Sequence, residues 1–178
     1  AFKEGDDLCI YTLSDDLQAY QNATLQLKLM DFNGKVLSKK IVKGEVPANA
    51  SAVFHKEVYN DLATQPTNTL LLMTLKDQKG KVLSEEIYYF NYPKDQELPQ
   101  AKVSFKVKTM DGKCEVSLSA KQLARDIFVE IPYQGARFTD NFFDLLPGQT
   151  KKIVITSDEI KKGKPVELKI RHLKGIIK

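Results

Sequence analysis

The stretch Thr24-Leu25-Gln26-Leu27-Lys28-Leu29-Met30-Asp31-Phe32-Asn33-Gly34-Lys35 decides the fold class. Leu25, Leu27 and Leu29 alternate with Gln26, Lys28 and Met30, and successive side chains of a strand point to opposite faces. Asp31 to Lys35 then breaks the alternation, and its Asn33-Gly34 pair accepts the positive φ of a tight turn. The same period of two returns in Val103/Phe105/Val107, Cys114/Val116/Leu118 and Val166/Leu168/Ile170. Sheets with one apolar face are antiparallel and must pack in pairs to bury that face. No stretch holds a helical period for three turns; Tyr59–Thr64 and Ser157–Lys162 read as one-turn helices. The class is all-β.

Asp31-x-x-Gly34-Lys35-Val36-Leu37-Ser38 is echoed by Asp77-x-x-Gly80-Lys81-Val82-Leu83-Ser84. The pair reads as two surface hairpins under one turn constraint, and Met110-Asp111-Gly112-Lys113 as a third. Strands are expected near 8–13, 23–31, 35–43, 51–58, 68–76 and 81–90. After the proline-containing segment 93–100 they resume near 101–109, 113–119, 126–132, 137–145, 150–156 and 165–173. Six or so short strands, twice, predict two tandem immunoglobulin-like antiparallel β-sandwiches at 1–92 and 101–178, joined by a fairly stiff linker at 93–100.

Composition excludes several classes. The longest apolar run, Leu70–Met73, is far shorter than the roughly 20 residues a membrane helix needs, so no membrane segment is expected. The chain opens on Ala1, which reads as a fragment or a processed start. Residues 1–92 carry 10 lysines against 12 acids, and residues 93–178 carry 14 lysines and 3 arginines against 11 acids. Lys106, Lys108 and Lys169 in that basic half alternate with apolar residues, as on a solvated sheet face. No aromatic and arginine platform accompanies them, so nucleic acid is not an expected partner. Cys9 and Cys114 fall in different predicted modules and read as buried free thiols.

Catalytic chemistry finds little footing. The paired acids Asp6-Asp7, Asp15-Asp16, Glu85-Glu86 and Asp158-Glu159 sit at turns or strand ends without an apolar neighbour to raise a pKa. Glu85 and Glu86, adjacent in a strand, point to opposite faces. His55 and His172 read as sheet histidines, and no nucleophile elbow, Gly-rich phosphate loop, HExxH or CxxC occurs. No catalytic residue, metal site or cofactor is expected. Tyr88, Tyr89 and Tyr133 are candidate sugar contacts, with Tyr92 and Phe138 near them, although Trp is absent.

The most distinctive stretch is Arg137-Phe138-Thr139-Asp140-Asn141-Phe142-Phe143-Asp144-Leu145-Leu146-Pro147-Gly148. It reads as a strand diving into the core. Phe142 and Phe143 would supply apolar area, Asp140 and Asn141 would bond nearby backbone as turn formers, Asp144 belongs to the same structural motif, and Pro147-Gly148 would end the strand.

This stretch resembles the signature near the carboxyl end of family 2 glycoside hydrolases of the β-mannosidase type. Leu8–Leu13 with Ser14-Asp15-Asp16, followed by Ala23–Phe32, resembles the opening strands of the preceding sandwich domain, and Pro93-Lys94-Asp95…Leu98-Pro99 resembles the join. The resemblance implies a non-catalytic C-terminal scaffold whose partners are the remaining domains of a hydrolase of terminal β-mannosides. The catalytic glutamates of such enzymes lie in a barrel that matches nothing in this chain. It implies a periplasmic or secreted setting, with the cytoplasm as the alternative. Two other readings stay open: an autonomous carbohydrate-binding pair for mannosides, and an adhesin-like tandem with an exposed edge strand.

Overall fold

Residues 1–176 are described by a computed structural model, so Ile177 and Lys178 of the predicted second domain lie outside the described residues. Internal contacts divide the chain into two units. The first comprises Ala1–Asp31 and Lys35–Glu97; the second comprises Phe32–Gly34 and the residues from Leu98 onward. The boundary falls inside the predicted linker, where Pro93–Asp95 forms one 3-10 turn and Leu98 is buried.

The first unit contains β1 (Phe2–Glu4), β2 (Asp7–Ser14), β3 (Tyr20–Asp31), β4 (Val36–Val46), β5 (Ala50–Val58), the single-turn helix α1 (Tyr59–Leu62), β6 (Thr69–Lys76) and β7 (Val82–Tyr89). The strands form a three-stranded sheet, β1-β2-β5, and a four-stranded sheet, β4-β3-β6-β7, antiparallel throughout. Leu25, Leu27 and Leu29 of β3 meet Leu8 and Ile10 of β2 and Leu71 and Met73 of β6 in one core. Each such side chain, fully buried, contributes roughly 2 kcal/mol.

The two hairpin turns are built alike. Asp31 Oδ1 accepts the Lys35 N–H at 2.8 Å and Gly34 sits at φ +95°; Asp77 Oδ1 accepts the Lys79 and Lys81 N–H groups and Gly80 sits at φ +83°. Gly44 of β4 has a different role. A Cβ there would lie 2.9 Å from Cζ of Phe54, so the glycine admits the ring of β5 against its backbone.

The second unit contains β8 (Val103–Met110), β9 (Lys113–Ala120), β10 (Ala124–Glu130), β11 (Arg137–Phe138), β12 (Phe143–Leu145), β13 (Thr150–Thr156), β14 (Lys169–Arg171) and the single-turn helix α2 (Leu173–Ile176). Its sheets are β11-β13-β9-β8 and β12-β10-β14. The core joins Cys114, Val116 and Leu118 of β9, Ile153 and Ile155 of β13, Ile127 and Val129 of β10, Phe143 and Leu145 of β12, and Ile160. Both thiols are free and buried, and burial pushes each above its ordinary pKa, which keeps them protonated and unreactive.

Several expectations change. The predicted strand 137–145 is two pieces, β11 and β12, which belong to different sheets. Of the strand expected at 165–173 only Lys169–Arg171 is in a ladder. Ser157–Lys162 forms turns rather than a helix, while β1 and α2 carry too few residues to show a period. His172 lies just past β14 rather than on a strand. Phe105 is 48% exposed although its alternation marks an apolar face. It sits on β8, an edge strand of its four-stranded sheet, and is not among the residues packed against the core, unlike Val103 and Val107 of the same strand. Conversely β6 is buried on both faces from Thr69 to Thr74, which suits its unbroken Leu70–Met73 run better than one dry and one wet face.

Candidate functional site

Where β11 should have continued into β12, the chain turns a corner held by side chains. Thr139 keeps step with β13 for one more residue, exchanging backbone and hydroxyl bonds with Val154. Asp140 then reaches Lys151 at 2.5 Å, and the same ammonium lies 4.4 Å from the Phe143 ring centroid. Asn141 clamps the opposite sheet. Its Oδ1 accepts the Val129 N–H at 2.9 Å and its Nδ2 donates to the Val129 carbonyl at 3.0 Å. One primary amide thereby satisfies both backbone groups of a residue near the C-terminal end of β10, as a neighbouring strand would.

Asp144 does the analogous job at the start of β10. The register of β10 on β12 slips between Ala124 and Ile127, and Asp126 takes φ +51° there. Asp144 Oδ1 accepts the Asp126 N–H at 2.9 Å while Oδ2 lies 3.5 Å from the Arg125 guanidinium. Pro147 and Gly148 then form the closing turn, with Gly148 at φ +75° donating its N–H to the Ala120 carbonyl at 2.9 Å. Phe143 is buried, as expected, but Phe142 is 68% exposed. The reversal follows from the clamp. Asn141 Oδ1 also accepts the Phe142 N–H at 3.1 Å, and Phe142 takes φ +59°, which turns its ring outward.

The outward ring does not stand alone. Phe128 and Glu130 of β10 share the outer face of the three-stranded sheet with Arg171 and Lys169 of β14, each directly paired across the ladder. Phe142 stacks on Phe128, with centroids 4.6 Å apart and planes at 18°. Glu130 pairs with Arg171 at 3.0 Å. Phe128, Glu130 and Lys169 of this face, together with Val129, Pro132 and Phe138, line an open cleft of about 410 Å³.

The other candidates drawn from the sequence scatter. Tyr88 is half-buried and turned inward, edge-on to Phe90 at 5.4 Å, and lines a separate cleft of about 450 Å³ with Ile10, Thr12 and Met73. Tyr89 is half-buried and next to it along the strand, hence on the other face. Tyr133 packs half-buried against the second core, and Tyr92 is exposed. Within the first unit, Tyr88 and Tyr89 therefore do not converge on one surface. Of the aromatic residues considered as sugar contacts, Phe138 alone lines the Phe128 cleft.

Titratable groups are spent on structure. Glu57 accepts from Lys40 at 2.5 Å and contacts His55 Nε2 at 2.7 Å. Burial raises its pKa, but those two bonds outweigh burial and hold it below the ordinary value. Glu85 accepts the Thr74 hydroxyl at 3.2 Å. Among the described residues no group of three or more His, Cys, Asp or Glu side chains could hold a metal.

The family model of the mannosidase Ig/CBM-like domain matches residues 6–95, and that of an Ig-fold domain matches residues 98–176. This chain belongs to the mannosidase Ig-like domain family. An exo-β-D-glucosaminidase of Hypocrea jecorina is 29% identical to the pair over 80 residues, which cover 45% of this chain and 9% of that enzyme. Among solved structures, β-D-mannosidase from Dictyoglomus thermophilum matches with a TM-score of 0.73 at 20% identity, over 96% of this chain and 21% of that one. The exo-chitosanase of Amycolatopsis orientalis matches with a TM-score of 0.62 at 18% identity, over 92% of this chain and 24% of that one. The mannosidase-type pair therefore spans under a quarter of relatives that are glycoside hydrolases.

Within the pair, sequence reading missed Phe128 as an outward aromatic and Val129 as the partner of Asn141. Phe128 between Ile127 and Val129 carried the signal, since a strand with two buried neighbours must show its middle residue to the other face.

Proposed function

We propose that the tandem is the non-catalytic C-terminal scaffold of a β-mannosidase-type glycoside hydrolase, docked on the remaining domains of that enzyme. One observation carries the reading most. The signature stretch, the feature richest in polar groups, commits Asn141 and Asp144 to the backbone of β10 and leaves Asp140 in an ion pair. Side chains saturated by their own fold build a corner rather than a reaction centre. The mannosidase Ig-like families matched by both modules favour β-mannosides over glucosaminides as the parent's substrate. A periplasmic or secreted setting accompanies this role.

The test compares the intact parent with a form lacking this region, using nitrophenyl β-mannoside and β-glucosaminide. The expected result is loss of soluble expression or of thermal stability on deletion, a preference of the intact enzyme for the mannoside, and no turnover by the isolated pair. Unchanged folding and turnover after deletion would remove the scaffold role.

A further inference from the structure

The clamp imposes the left-handed backbone and the outward direction at Phe142, but it does not require a bulky apolar side chain there. A left-handed residue at this position is served more cheaply by Gly or Asn, whereas a bulky residue there is strained. A phenyl ring 68% exposed leaves most of its apolar area in water. Its position is explained if the ring contributes to recognition on the outer face of β10. There it lengthens the aromatic surface begun by Phe128, at 4.6 Å, and Phe128 in turn lines a cleft of about 410 Å³. That volume lies within the range of roughly 300–1,000 Å³ usual for ligand sites.

We infer that this face of the second module is a saccharide-binding subsite for a short neutral oligosaccharide. The chemistry of the lining selects the ligand class. Phe128 and Phe138 line the cleft, and Phe142, stacked on Phe128, extends that flat apolar surface for the C–H faces of pyranose rings. Glu130 and Glu167 present carboxylate acceptors for hydroxyl donors, and Lys169 presents an ammonium donor for ring and glycosidic oxygens. Glu130 is matched by Arg171 at 3.0 Å and Glu167 has Lys169 beside it in the cleft, so the site carries little net charge. A polyanion or polycation gains nothing there, and a neutral polyol gains hydrogen bonds at both signs. The ligand class rests on the reading of the pair as part of a glycoside hydrolase.

The experiment is a titration of the whole chain with mannotriose, followed by calorimetry and by backbone amide shifts. Saturable binding is expected, with shifts grouped on β10, β14 and Asn141–Phe142. Phe142→Asn keeps a residue that tolerates positive φ and removes the ring; it should retain the fold and weaken binding by up to about tenfold. Glu167→Gln, an exposed conservative change, should weaken binding several-fold. Absence of amide shifts at tens of millimolar mannotriose, or shifts confined to the Tyr88 cleft, would overturn the subsite and mark the Phe128–Phe142 pair as a protein-docking patch. Neither outcome bears on whether deletion of the region destabilises the parent, so the two readings fail separately.

Discussion

The four-stranded sheet of the first module is held by long backbone ladders, while the three-stranded sheet of the second is held at its weak points by side chains. β3 and β4 run for 12 and 11 residues and turn through an Asp-x-x-Gly-Lys hairpin in which Asp31 accepts the exposed Lys35 N–H. β12 and β14 run for three residues each, and Asn141 and Asp144 supply bonds that a longer strand would have made. A ladder spreads its stabilisation over many near-equivalent bonds, so losing one is tolerable. A clamp concentrates it in one or two groups. The two modules share a sandwich plan and should therefore respond differently to single substitutions.

The largest expected effect is that of Asn141→Ala. It strands the N–H and C=O of Val129, and with about 1–3 kcal/mol for each buried unsatisfied group the second module should lose roughly 2–6 kcal/mol in denaturant unfolding. Asp77→Ala removes a turn acceptor of similar bond count in the first module. Its donors are solvent-exposed, so the loss should stay within about 1 kcal/mol. Equal losses from the two variants would erase the contrast. Gly44→Ala brings a methyl within 2.9 Å of the Phe54 ring and should cost about 1–2 kcal/mol through displacement of that ring, read as a lower midpoint of the first module.

Acid should separate the modules as well. Burial holds the pKa of His172 below its ordinary 6.5, partly opposed by a hydrogen bond to the Ala101 backbone, so the native state favours the neutral ring. Its contribution is present above about pH 6.5 and is lost as pH falls from there through the lower folded value. Glu57 has its folded pKa below 4.5, so its contribution is present above that value and is lost only as pH falls through the lower folded one. The second module should weaken first on acidification, and His172→Gln should flatten that early phase. The smallest effect belongs to Thr12→Val. The Thr12 hydroxyl is buried without a partner among the described residues, and its removal should raise the melting temperature of the first module by the equivalent of up to about 1 kcal/mol.

Legibility in the sequence follows the same divide. Leu25, Leu27 and Leu29 announce their strand because a regular ladder repeats its period for many residues. The twin hairpins announce themselves because Gly34 and Gly80 are needed locally. At 137–145 the residues keep a strand-like composition while the backbone breaks it. The break depends on Asn141 meeting Val129, 12 positions away, and no local pattern records that meeting. The exposure of Phe142 follows from it and is equally hidden. Residue type alone marks the candidate tyrosines, and the fold distributes them between cores and opposite faces. The outer aromatic pair joins residues 14 positions apart, Phe128 and Phe142, which become neighbours only after the corner has formed.

Native-state amide exchange at Val129 tests the clamp most directly, because its N–H has Asn141 Oδ1 as its acceptor. The account predicts protection comparable with that of Val116 at the centre of β9, and its collapse in Asn141→Ala. Exchange of the Val129 amide at the rate of an exposed loop in the unaltered chain would show that the corner does not hold β10, and would contradict the structural role assigned to the signature stretch.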